Sequence, residues 1–474
     1  MISLSVWDNI SGLRVFPLGA CSNRIFSSRR FDAMEGHGYK KGANVRPFGF
    51  CRLYPQSGPL SQDPQLLRQY SSIPWEAKLL IVLSFIPGLS LSFIYTDLSY
   101  FLTTVKGLSI VFTGTVITVM GVSMVVASLP FGILADRYGR RKFVVIGNVL
   151  ASVTLASFAL TENPGILVLA AVVEGTTEAA FAAAGTALLA EKAGEQSRTA
   201  AYSLSSFLSN ISWGLSGFAI PLVLVFEVFG LDVGQAHVVL YLILAALSLA
   251  VTPFLFKISE SKTSAKAKGL REFVPKKSRG VLVKYITASV LVAFGAGLFV
   301  PLMTQWFTLR FAVPDTISGP VIGVSGFLIA AFSLYAPNLA RRFGLVKAIV
   351  LTQALSMIFM VAVPLSPTFA LAGVTYIVRT LMMNVAGPLG TSLIMGLVAE
   401  EERGAAAGIS AALWRLPNSI STVVGSSMML VGLLGLPFYI ASVLYAVSIS
   451  MFWVFFRRSK TPEEMDKGSQ ETDK

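Results

Sequence analysis

Four ionisable side chains stand where a long apolar run would be expected to exclude them: Glu174, Glu178, Arg379 and Arg415. Asp97 is a fifth, close to the end of its run and expected to reach water. Glu174 and Glu178 are one helical turn apart and so share a helix face. Two carboxylates that close in a low-dielectric medium cannot both hold charge cheaply, which suits one of them to carry a proton. Arg379 and Arg415 offer planar guanidinium forks that match carboxylate or phosphate, so they are candidates for holding an anionic substrate. A third reading joins the two sets, with Glu174 and Arg379 as an internal ion pair that stabilises one conformation. The roles are compatible, since a proton and a substrate could alternately release the same arginine.

The elements that must position these groups are read from composition. Hydrophobic residues make up 54% of the 474 residues and charged ones only 13%, against about 25% charged in a soluble domain. The apolar runs are long enough to cross about 30 Å of hydrocarbon as helices. Twelve spans are expected, at 77–101, 107–131, 143–161, 165–190, 200–226, 236–256, 281–306, 317–339, 346–364, 369–396, 405–432 and 436–456. Helices are the default because each must satisfy its own backbone hydrogen bonds at that depth. The run Val116 to Leu129 does not alternate as a barrel strand would. Burying a central Asp, Lys or Arg in such a helix costs roughly 2.5–3.5 kcal/mol, so the five ionisable residues need partners or water.

The net charge of +13 suggests nucleic acid only until its location is examined. Arg137, Arg140, Arg141 and Lys142 follow the second span, and Lys192, Arg198, Arg341, Arg342, Lys347 and Arg403 lie in loops on the same side. Residues 257–284 add nine Lys/Arg against two acids, whereas the opposite side has only Lys106 and Arg310. This is the positive-inside bias, which places both termini in the cytoplasm. The partner implied is a lipid bilayer, and no nucleic acid is expected. The two cysteines, Cys21 and Cys51, lie before the first span, and the two histidines are His37 and His237. Neither a metal nor a cofactor is therefore expected.

Residues 1–70 carry nine Lys/Arg and four Asp/Glu and read as a basic, disordered extension, with a transit peptide around Arg14, Arg24, Arg29 and Arg30 as the alternative. Residues 257–280 read as a basic cytoplasmic linker between two bundles, 77–256 and 281–456, and 457–474 as a solvated tail. A repeat supports the division. At a constant shift of 205 residues, Leu134, Ala135, Arg137, Gly139 and Lys142 fall on Leu339, Ala340, Arg342, Gly344 and Lys347. Gly185, Thr186 and Arg198 fall on Gly390, Thr391 and Arg403, Glu174 on Arg379, and Asn210 on Arg415. The fold class expected is thus an all-α polytopic membrane protein with two pseudo-symmetric six-helix bundles, a plan that places substrate near the midplane.

The loop after the second span reads Gly132-Ile-Leu-Ala-Asp136-Arg137-Tyr-Gly139-Arg140-Arg141-Lys142, with a degenerate copy at 337–347. It resembles the signature of the major facilitator superfamily between its second and third helices. The resemblance covers about 77–456 and implies a secondary transporter in which spans one, four, seven and ten line a central cavity. It implies that Glu174 on one wall faces Arg379 on the other. It also makes Gly132, Asp136, Arg137, Gly139, Arg140 and Arg141 a cytoplasmic latch, with Asp136 against the start of the eleventh helix, where the helix dipole favours an anion. Gly132 is expected to let two helices approach closely. Asn384, Gly387 and Pro388 interrupt span ten, and Trp414, Pro417 and Asn418 flank Arg415 in span eleven. Asn384, Trp414, Asn210 and Tyr100 join the arginines as substrate-binding candidates, with Trp306 and Tyr376 as further stacking surfaces, and Asp97 joins the glutamates as a proton-coupling candidate. Gly214, Gly217 and Pro221 lack the clean Gly-Pro-Gly-Gly ending of the family's antiporters, which puts drug/proton antiport in doubt.

The function expected is proton-coupled transport of a small molecule by alternating access, either efflux of amphipathic compounds or movement of an organic anion, by a monomer in the cell membrane. An organellar membrane stays open. The competing class is a non-transporting receptor or scaffold of the same fold, which would gain nothing from embedded charge. No Walker loop or catalytic constellation points to an ATP-driven pump or an enzyme.

Overall fold

A computed structural model describes residues 70–259, 277–333, 336–399 and 402–458, all within one unit, Asp63–Lys474. The extension 1–69, most of the basic linker and the tail from 459, each assigned a role above, lie outside the described residues. The spans are α1 (Trp75–Val105), α2 (Ile110–Tyr138), α3 (Arg140–Leu160), α4 (Pro164–Gly194), α5 (Gln196–Val228) and α6 (Val233–Leu255). The second set is α7 (Arg279–Phe311), α8 (Asp315–Phe332), α9 (Leu345–Leu365), α10 (Phe369–Leu397), α11 (Arg403–Leu430) and α12 (Leu436–Phe456). Eleven of these are long and apolar enough to cross a membrane. The exception, α11, is long enough but carries Arg415, Asn418 and a run of Ser and Thr. The chain is therefore an all-helical, multi-pass membrane protein.

Local signals account for the helix ends. Asn163 caps α4 by accepting from Gly165 N at 2.9 Å, and Thr368 accepts from Leu371 N at the start of α10. Asp232 and Gln235 form a reciprocal capping box that fixes the first turn of α6, which satisfies donors no helix can satisfy internally. Between α2 and α3 the chain turns at Gly139 with φ 109°, and between the short helix Ala336–Phe343 and α9 it turns at Gly344 with φ 78°. These glycines are 205 residues apart, so the sequence repeat reproduces a left-handed backbone requirement that favours glycine.

Two seams join the first six helices to the last six, and both are tight toward the end of the bundle that carries Asp315. Along α2 and α11, a Cβ on Gly114 would lie 2.2 Å from Ser426 Oγ, and one on Gly121 would lie 1.7 Å from Ser419 Oγ. Along α5 and α8, a Cβ on Gly217 would lie 2.3 Å from the Gly319 carbonyl, and one on Gly323 would lie 2.6 Å from the Gly214 carbonyl. Close approach at small residues, backbone to backbone along α5 and α8, is how helices pack without a hydrophobic drive in lipid. Thr118 donates across the first seam to the Ser419 carbonyl at 2.7 Å, and Thr304 of α7 donates to the Thr96 carbonyl of α1 at 2.5 Å. On the side of the seams toward Arg140, Phe207 of α5, Asn384 of α10 and Trp414 of α11 are exposed. The bundle is sealed at the Asp315 end and open toward the Arg140 end.

Candidate functional site

The open side leads to a cavity of about 410 Å³ at mid-depth, bordered by Tyr95, Glu178, Asn210, Trp213 and Arg415. Arg415 Nη2 lies 3.0 Å from Glu178 Oε1 and 3.1 Å from Oε2, so one guanidinium nitrogen serves both carboxylate oxygens. Tyr95 donates to Glu178 Oε2 at 2.5 Å and also contacts Arg415, whose guanidinium sits 4.6 Å from the tyrosine ring centre. Trp213 stacks on the far side of Tyr95 at 6.3 Å. This ion pair joins α4 of the first set to α11 of the second. Its side chains are 25% and 12% exposed, so both reach the cavity. Arg415 Nε has no partner and is buried. The offset pair Asn210 and Arg415 thus border one cavity, although among the described residues Asn210 bonds back to the Ser206 carbonyl of its own helix.

Asn384 and Trp414 border a second cavity of about 380 Å³ within the last six helices, with Tyr285, Gln353 and Ser410. A smaller one of about 180 Å³ lies within the first six and is lined by Glu174, Glu178, Asn148 and Ser248.

The expected opposition of Glu174 and Arg379 does not occur. Glu174 is buried and accepts a hydrogen bond from Thr154 of α3. Arg379 turns into the last six helices, donates to Tyr445 Oη at 2.8 Å and lies 4.9 Å from the Phe299 ring centre. The repeat places the two residues at equivalent positions, but each turns toward its own bundle, where a hydroxyl or an aromatic face receives it. Tyr100, Trp306 and Tyr376 are likewise buried in packing, and Trp306 donates to the Leu434 carbonyl at 2.8 Å. None of the three borders the cavities described above.

Asp97 is not wet: it is fully buried at the sealed end. Tyr241 of α6 donates to its Oδ2 at 3.0 Å, and Oδ1 has no partner. Beside it, His237 Nε2 of α6 meets Asp315 Oδ2 of α8 at 2.7 Å, and His237 Nδ1 meets the Val233 carbonyl at 2.7 Å. One ligand atom from each of Asp97, His237 and Asp315 lies within 4.8 Å of the others. Sequence reasoning passed over His237 because two histidines cannot build a zinc site, and over Asp315 because it fell just outside a span. A histidine in the first turn of an apolar run was the available signal. Tyr95 gave none.

In the loop motif, Arg140 bonds Asp136 at 2.8 Å and Glu191 of α4 at 3.3 Å. Arg141 donates to the Phe256 and Ile258 carbonyls beyond α6 at 3.3 and 3.0 Å. Arg137 is exposed over the Tyr138 ring. Among the described residues, Asp136 pairs with Arg140 inside the first six helices, while the start of α11, its expected partner, lies partly outside the described residues. Gly132 does not enforce a close crossing, since a Cβ there would meet only Ala183 at 3.9 Å. The close crossing of α2 and α4 is at Gly175, whose Cβ would lie 2.0 Å from the Met120 carbonyl.

Twelve helices in two pseudo-symmetric sets of six, parted at one end around a mid-depth ion pair, define a polytopic membrane protein built on a repeated bundle. A sequence profile of the Major Facilitator Superfamily matches residues 80–421 and 285–474. The chain belongs to the major facilitator superfamily. The inner membrane transport protein YajR of Escherichia coli (strain K12) is 34% identical over 119 residues, a match that spans 25% of this chain and 25% of that relative. Among solved structures, the nucleoside transporter NupG is similar with a TM-score of 0.62 at 15% identity, covering 81% of this chain and 100% of that one. An auto-inhibited POT family peptide transporter gives 0.66 at 13%, covering 82% and 98%. The human organic anion transporter MFSD10 (TETRAN) gives 0.57 at 15%, covering 82% and 100%. At these identities the structural likeness concerns the fold.

Proposed function

We propose that the protein is a proton-coupled secondary transporter that moves a small organic anion by alternating access, with Glu178 and Arg415 as the exchanging pair. The observation that carries this reading is the ion pair between α4 and α11, 3.0 Å long, on the wall of a cavity open at one end. A guanidinium held, among the described residues, by a carboxylate and a tyrosine can trade that carboxylate for one on a substrate. Protonation of Glu178 frees the guanidinium for the substrate, and departure of the substrate returns it to ionised Glu178. Glu174 borders the same small internal cavity as Glu178, which suits it to pass the proton on. Ile117, Leu91, Pro301 and Trp213 on the cavity wall favour an anion with an apolar body.

The positive-inside bias of the loops supports a cytoplasmic Arg140 end; on this reading the conformation is inward-facing, and the protein works as a monomer in the cell membrane with both termini inside. Asp136, Arg140 and Arg141 form the latch of that end. Radiolabelled organic anions in proteoliposomes under imposed pH gradients test the proposal. Uptake that ignores the gradient, or that is unchanged in Glu178→Gln and Arg415→Ala, would refute it.

A further inference from the structure

We infer that Asp97, His237 and Asp315 form a second proton-binding site, outside the central cavity, whose protons hold the Asp315 end shut. The site joins three helices and both halves of the repeat: Asp97 on α1 and His237 on α6 belong to the first six, Asp315 on α8 to the last six. All three side chains are sealed from solvent, at 0%, 0% and 1% exposure. Because carbonyl oxygen only accepts, the 2.7 Å contact from His237 Nδ1 to Val233 O fixes a proton on Nδ1. The 2.7 Å contact from Nε2 to Asp315 Oδ2 then needs a further proton, whichever of the two atoms carries it.

Asp97 makes a second demand. Tyr241 serves its Oδ2, while the buried Oδ1 has no partner. An ionised Asp97 would leave a bare negative charge beside a second carboxylate where water cannot reach, which low dielectric penalises. A proton on Asp97 removes that charge.

Among the described residues, no lysine or arginine bonds any of the three groups. The Tyr100 and Phe101 rings of α1 each lie 6.0 Å from the His237 ring, and Lys106 Nζ lies 5.2 Å from the Phe101 ring centre. Lys106 is already committed to the Thr161 carbonyl. The charged groups further out are both negative: Glu227 at the end of α5 acts on Tyr100, and Glu162 acts on Lys106.

Parting α8 from α1 and α6 would admit water to all three groups. Hydrated aspartate releases its proton near pH 4 and hydrated imidazolium near about pH 6.5. At neutral pH the open site is therefore proton-poor and the closed one proton-loaded. Closing takes up protons, so it is favoured as pH falls and opposed as pH rises, by up to about tenfold per unit for each proton.

Spin-label distances across the sealed end test this on the full chain in lipid nanodiscs. Val228→Cys and Pro367→Cys carry the labels, with Cys21→Ser and Cys51→Ser removing the native thiols. The expected result is a short distance at pH 5.5 that gives way to a longer one by pH 8, with at least about a fivefold loss of the short population. Asp97→Asn, neutral at every pH, should keep the short distance to higher pH, and His237→Gln should flatten the response. A wild-type distribution that does not change with pH overturns the inference even if no variant folds. So does an unchanged pH response in both variants, or retention of stoichiometric zinc that His237→Gln abolishes, which would mark a metal site. Because the readout is a distance and not transport, failure of the Glu178–Arg415 exchange would leave it intact.

Discussion

The two buried charge clusters of this molecule solve the same problem in opposite ways. At mid-depth, Glu178 and Arg415 neutralise each other across the interface and remain partly open to a cavity. At the sealed end, Asp97, His237 and Asp315 have two carboxylates but no arginine or lysine among their partners, and they are closed to water. Opposite charges need no third party, so the central pair is free to exchange one partner for a ligand. An excess of acid needs protons, so the sealed cluster answers to pH before it answers to any ligand. The same helix inventory thus gives one site suited to recognition and one suited to gating.

The sharpest way to break that contrast is to remove the cation. Arg415→Ala strands Glu178 and takes away the group proposed to hold the substrate. Truncating one member of a buried, hydrogen-bonded charge pair typically costs about 2–5 kcal/mol, and partial exposure here points to the lower part of that range. Uptake of organic anions into proteoliposomes should therefore fall about a hundredfold. Arg379→Ala should affect thermal stability more than uptake, because Arg379 faces Tyr445 and Phe299 rather than a cavity.

Glu178→Gln sharpens the comparison from the other side. It keeps the shape and a weaker hydrogen bond to Arg415 but cannot cycle a proton. Concentrative uptake driven by a pH gradient should fall by about tenfold, the scale of one pH unit of driving force. Exchange of substrate in both directions without a gradient should persist. Loss of both activities together would make Glu178 a binding residue and nothing more.

The seal itself can be loosened without touching any charge. In Gly217→Ala the new Cβ would fall 2.3 Å from the Gly319 carbonyl, which cannot retreat without parting α5 from α8. Overpacking of this kind costs about 1–3 kcal/mol in the closed state only. A cysteine placed at Ser318, buried in the seal, should then react several-fold faster with a polar thiol reagent. Gly132→Ala, with its nearest neighbour at 3.9 Å, should leave that rate alone.

Much of this was legible in the sequence. Long apolar runs, the basic loop after α2 and the 205-residue shift lead to the repeated twelve-helix plan, because span length and backbone satisfaction leave few alternatives. The same shift singled out Glu174, Arg379, Asn210 and Arg415. What it could not supply was direction. Glu174 and Arg379 sit at matching depths yet turn to Thr154 and Tyr445, a choice made by which neighbours offer a hydroxyl. Glu178, one turn from Glu174, points to Arg415 instead. The acid–histidine cluster escaped for a different reason: its members come from α1, α6 and α8, and nothing in their spacing announces that they meet. Only α11, read from its length as the span 405–432, falls short of the hydropathy of the other spans, since the polar residues that border the cavity dilute it.

The smallest effect is expected at the loop motif, and it bears on which end is working as a gate. Asp136 and Arg140 form an exposed pair at 2.8 Å inside the first six helices, a kind of contact worth about 0.2–1 kcal/mol. If the motif is a latch for the Arg140 end when that end closes, Asp136→Asn should weaken a state other than the one seen here. The maximal rate of transport should then fall by no more than about fivefold, since about 1 kcal/mol corresponds to that factor. The substrate concentration for half-maximal rate should stay the same, because Asp136 lies at the far end of α2 from the seam near Gly121 and does not border the cavity. Transport kinetics over a range of substrate concentrations separate the two parameters. A loss of affinity at unchanged maximal rate would assign the loop to binding and leave the sealed cluster as the only gate.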